Sequence, residues 1–119
     1  MSFICGNAYI LNCEFTRPLP KKKYAICINQ EKQLFFFINT NPRRRYDQFT
    51  QLEVTPSELP FLKYNSFINI AEHFVCEIPL CDKIKDFGSI PDHIKQKIQK
   101  VIPDVMTLPQ SLIDNILSC

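Results

Sequence analysis

The chain has 119 residues, 45% of them hydrophobic, with ten Phe and four Tyr against two Gly; this excludes a disordered chain and predicts one domain spanning 1–119 with an aromatic-rich core. The formal charge is only +2, but residues 14–50 carry eight Lys/Arg against three Asp/Glu, and residues 51–119 carry six against nine. That asymmetry excludes a uniformly cationic protein and predicts one basic face suited to a polyanion.

The start Met-Ser-Phe-Ile-Cys-Gly has neither a charged leader nor a long apolar run, so no signal peptide and no membrane span is expected, and the default location is the cytoplasm. NAYILNCEF (7–15) reads as the first strand. KYAICIN (23–29) and QLFFFIN (33–39) follow as apolar runs of strand length, separated by Gln30-Glu31-Lys32, which predicts an antiparallel hairpin. Asn41-Pro42-Arg43-Arg44-Arg45-Tyr46-Asp47 reads as an exposed loop before the short strand QLEVT (51–55). The proline-broken segment 56–65 is too interrupted for a long element, and SFINIAEHFVCEIP (66–79) supplies one or two more strands.

The tail changes period. Ile94, Ile98, Val101 and Ile102 recur at helical spacing, as do Leu112, Ile113, Ile116 and Leu117. SIPDHI (89–94) and TLPQSL (107–112) each place a hydroxyl residue where an N-cap is needed, followed by Pro, and so announce two helices over about 89–118. Strands over about 7–79 followed by two helices predict a β-rich α+β domain, with five to six strands in a small, strongly curved sheet or barrel.

The six cysteines include no CxxC pair, and Cys27 and Cys76 lie within apolar runs, so most are expected to be reduced core residues. Neither His73 nor His93 stands at ligand spacing from a cysteine pair, so no metal is predicted. No cofactor signature, P-loop, GxSxG or HExxH occurs either.

Two basic segments stand out. In Arg17-Pro18-Leu19-Pro20-Lys21-Lys22-Lys23, two prolines stiffen a loop that delivers cations to the start of a strand, where little entropy is lost on binding phosphate. Arg43-Arg44-Arg45-Tyr46 offers guanidinium groups for phosphates and a ring for base stacking. Either run is equally the composition of an ordinary solvated loop. RNA cleavage by internal transfer needs a base for the 2′-OH, a stabiliser of the phosphorane and an acid for the leaving oxygen. His73, beside Glu72, is a candidate base or a plain strand-end histidine, while Thr40 and Ser66 stand at the ends of apolar runs, facing a groove or capping a turn.

The order KKYAICIN, QLFFFINTNP, a proline-bearing turn and PFLKYNSFINIAEHF, covering roughly residues 6–78, resembles the PemK/MazF family of toxins. The resemblance implies an SH3-like barrel, a homodimer, an antitoxin partner and metal-independent cleavage of single-stranded RNA. It puts Lys23 at the position of the family's catalytic Arg, Thr40 at that of its Thr and Ser66 at that of its strand-opening Ser. Where the family has Arg-Pro this chain has Lys23-Tyr24, and no Asp-Gln follows Ser66. Arg17 or an Arg of 43–45 is then the candidate for the missing guanidinium, with His73 in reserve and Lys21, Lys22 and the 43–46 loop holding RNA. The alternative is a non-catalytic member of the fold that binds RNA or a protein through its basic face.

Overall fold

A computed structural model of the chain describes residues 3–13, 21–30, 33–40, 50–75 and 81–104. Six strands, β1 (Asn7–Cys13), β2 (Lys21–Asn29), β3 (Leu34–Asn39), β4 (Gln51–Val54), β5 (Ser66–Val75) and β6 (Cys81–Ser89), form one sheet in the order β4-β5-β3-β2-β1-β6. Every neighbouring pair is antiparallel, including the expected β2–β3 hairpin. Helix α1 (Asp92–Val101) and a 3₁₀ turn (Ile102–Asp104) follow.

The chain is therefore a strand-rich α+β fold. Among the described residues the sheet is open, with β4 and β6 at its edges and no pairing between them to close a barrel. The second expected helix, near 107–118, lies outside the described residues. In the β3–β5 pairing Phe36 faces His73 and Ile38 faces Ile68, so five steps along β5 oppose two along β3. Extra residues in one strand bend it and increase its twist.

Strand β6 is absent from the expectation, which ended the strands near 79. CDKIKDFGS carries four charges in nine residues, the mark of an edge strand protected against stray pairing rather than of a core strand. It pairs with β1 through two register breaks, one of them between Ala8 (opposite Gly88) and Tyr9 (opposite Asp86). Gly88 supplies the φ of +87° there, and its N–H donates to Asp86 Oδ1 at 2.8 Å.

Both faces of the central strands are buried, which explains why β3 reads as an unbroken apolar run. On one face Ile26, Ile28, Leu34, Phe36, Ile38, Ile68 and Ile70 pack under Ile94 and Ile98 of α1, four residues apart on one stripe of the helix. On the other face Tyr9, Leu11, Ala25, Cys27 and Phe35 pack with Phe3. The Phe3 ring stands edge-on to Tyr9 and Phe35, with centroids 5.1 and 4.9 Å away, and Ile4 N–H donates to the Tyr9 hydroxyl at 2.7 Å.

One local expectation is corrected. Ser89 does not cap α1: it ends β6, and the N-cap position is Pro91, which makes no side-chain capping bond. Among the cysteines, Cys5 is disulfide-bonded. Cys27 is free and fully buried, and burial pushes its thiol up to about 11, so it stays protonated and unreactive.

Candidate nucleic-acid interface

The turn that leads into β5 is built by a reciprocal cap. In Thr55-Pro56-Ser57-Glu58, Glu58 N–H donates to Thr55 Oγ1 at 3.4 Å and Thr55 N–H donates to Glu58 Oε1 at 3.1 Å. This is the S/T-x-x-E capping box with Pro in its first turn, a signal present in the sequence that no expectation had used. Leu59 N–H closes one helical turn onto Thr55 O at 2.9 Å, and Leu59 and Leu62 are thereby sunk into the helix-covered core.

The same turn is anchored to α1. Glu58 Oε2 accepts from His93 Nε2 at 2.8 Å and lies 3.7 Å from Lys97 Nζ. The His93 hydrogen bond holds the Glu58 carboxyl below the usual glutamate range, with the Thr55 N–H and Lys97 adding to it and partial burial opposing. A depressed native pKa contributes stability above the ordinary glutamate value, and that contribution is lost as pH falls through the native value. Wild type therefore resists urea better than Glu58→Gln at pH 7, and the gap between their midpoints closes as the solution is acidified below the glutamate range.

With the turn held in place, a cavity of about 230 Å³ opens at one end of the helix-covered face, lined by Tyr24, Thr40, Leu62, Lys63, Tyr64 and Ser66. It is smaller than the roughly 300–1,000 Å³ of pockets that enclose a whole small molecule, so it suits one part of a larger ligand. Thr40 and Ser66, 26 residues apart in sequence, meet here. They are not equivalent. Ser66 is buried and its hydroxyl donates to Tyr64 O at 3.0 Å, so it shapes the Tyr64 turn; Thr40 is exposed at the cavity wall. Tyr64, at 67% exposure, stands out from the rim, and Lys63 is exposed beside it.

Lys23 is not in this cavity. Residues of β2 alternate faces, and Lys23 shares the side of Ala25 and Cys27, whereas Tyr24 shares that of Ile26 and Ile28. The Lys23 ammonium lies 3.5 Å from Asn39 Oδ1 and 5.4 Å from the Phe37 ring centre, half-buried on the opposite side of the sheet from Thr40 and Ser66. The cation that lines the cavity is Lys63, which the sequence reading passed over because a single Lys between apolar residues carries no pattern.

Of the other candidates, Lys22 is exposed on the Tyr24 side of β2, and Lys21 is the first residue of that strand. His73 lies within β5 opposite Phe36, two residues before the strand ends. Arg17, Arg43, Arg44, Arg45 and Tyr46 lie outside the described residues. No group of three or more potential metal ligands occurs among the described residues, nor does a helix long and apolar enough to cross a membrane.

No protein-family model matches the chain, and no curated protein matches it significantly.

Proposed function

We propose that this protein binds single-stranded RNA at the Thr40–Ser66 cavity and cleaves it without a metal, as a toxin of PemK/MazF character. The observation that carries the reading is the meeting of Thr40 and Ser66 in one recess with Lys63 and two tyrosines. A cation and a free-standing hydroxyl suit a phosphate, and rings suit the bases beside it. In this reading Lys63 takes the phosphate-stabilising role, Thr40 orients the phosphate, and Ser66 positions Tyr64. The curved sheet is the body of an SH3-like barrel completed by the remainder of the chain with a second helix, in a homodimer held inactive by an antitoxin. A proposed cytoplasmic location stands against the disulfide at Cys5, because disulfides persist mainly in oxidising compartments.

A second reading, an RNA- or protein-binding module that does not cut, is favoured by Lys23 standing on the far face. Among the described residues, no carboxylate or imidazole lines the cavity to take the 2′-OH proton. Incubation of labelled single-stranded RNA with the protein in EDTA separates the two. Cleavage to 2′,3′-cyclic phosphate ends, slowed at least tenfold in Thr40→Ala, is the result expected of the toxin; intact RNA that is bound supports the module, and RNA neither cut nor bound removes both.

A further inference from the structure

Next to the cavity, and sharing Tyr24 with it, three rings form a cluster that the proposed chemistry does not use. Phe61 and Phe87 stack with centroids 4.3 Å apart and planes 8° from parallel, and Tyr24 leans on both at 5.3 and 6.1 Å. The Tyr24 hydroxyl donates to Phe61 O at 3.4 Å, which fixes its ring against the cluster. All three rings are only partly buried. Sheet register sets cations around them: Lys85 faces Ile10, Ile10 faces Tyr24, and Lys22 lies two residues from Tyr24 on the same side of β2.

Lys22, Lys63 and Lys85 are all exposed, and none forms an ion pair with another of the described residues. The Lys85 ammonium rests 5.3 Å from the Phe87 ring centre. Unpaired ammonium groups ringing a half-open aromatic cluster match an alternation of phosphates and flat bases, and a duplex would not present its base faces to such rings.

We propose that this cluster is a second nucleotide subsite: a single strand leaving the Thr40–Ser66 cavity crosses Tyr24 toward β6, stacking one base against the Tyr24–Phe61–Phe87 cluster and placing its phosphates at Lys22 and Lys85. The inference rests on the RNA-binding reading of the cavity. It extends the site from one phosphate to a run of nucleotides and gives β6 a role in recognition.

The test is fluorescence anisotropy with a labelled 2′-deoxy pentanucleotide, which lacks the attacking hydroxyl, beside the matching dinucleotide. The pentanucleotide is expected to bind more tightly, and Lys22→Gln and Lys85→Gln each to flatten its log-affinity against log-salt slope by about 0.7, the value for one phosphate on a single strand. An abasic unit walked along the pentanucleotide is expected to cost about 5- to 150-fold at one position, the equivalent of losing about 1–3 kcal/mol of base stacking. Equal binding of the two lengths, unchanged slopes in both lysine variants, or an abasic walk without a sensitive position overturns the subsite. The cavity reading survives those results if Lys63→Gln still weakens both oligonucleotides. It falls, and the subsite with it, if neither oligonucleotide binds.

Discussion

Lys63→Ala is expected to weaken binding of single-stranded RNA about tenfold, while Lys23→Ala leaves the affinity within about twofold of wild type. The size follows from losing one charge-assisted contact to phosphate, about 1.5 kcal/mol. The direction follows from the sheet. Lys63 lines the cavity with Thr40, and Lys23 projects from the other face onto Phe37 and Asn39. Filter binding at two salt concentrations checks both: the Lys63 variant binds more weakly and less salt-dependently, and the Lys23 variant follows wild type. A reversed result, with Lys23 essential and Lys63 silent, would move the phosphate to the far face and remove the cavity as the site.

Phe36→Ala is the substitution expected to cost the most stability, about 3–5 kcal/mol, against a total of roughly 5–15 kcal/mol for a domain of ordinary stability. Phe36 is fully buried on β3, in the core shared by β2, β5 and α1, and it faces the strand that carries the register break. Removing its ring leaves a cavity that neighbours on three elements must close, and a bent strand has little freedom to do so. Urea denaturation reads the loss as a fall in midpoint with an unchanged slope. Cost well under 1 kcal/mol would mean that this core is loosely packed around Phe36.

The central strands and α1 were legible because burial imposes a period. NAYILNC, KYAICIN and LFFFIN are dense in the residues a buried strand requires, and Ile94 and Ile98 repeat at four, the spacing of one helix face. Strand β6 was not legible, since its residues answer to pairing with β1 and to solvent at an edge rather than to the core, and edge pairing leaves no hydrophobic signature. Pro91 explains the misplaced cap: in SIPDHI the hydroxyl of Ser89 has the right composition, but the backbone of Ser89 is committed to β6, so the helix begins after the proline without a side-chain cap.

The candidate site divides in the same way. Thr40 and Ser66 were singled out by their places at the ends of apolar runs and then by a resemblance, and the fold does bring them together. Lys23 was singled out on the same ground and stands apart, because in a strand a shift of one residue moves a side chain to the opposite face of the sheet. Lys63 and the Tyr24–Phe61–Phe87 cluster carry no motif at all; they are assembled from β2, the turn after β4 and β6.

Local chemistry thus determined on its own that this chain would carry a strand-rich α+β fold with an aromatic core, a β2–β3 hairpin and a helix after the strands, since composition and period act over a few residues. Which residues share a surface was decided only by tertiary structure. The order β4-β5-β3-β2-β1-β6, the break in β5 and the anchoring of Glu58 to His93 set strand neighbours, faces and the position of the turn, and those long-range choices placed Lys63, not Lys23, beside Thr40.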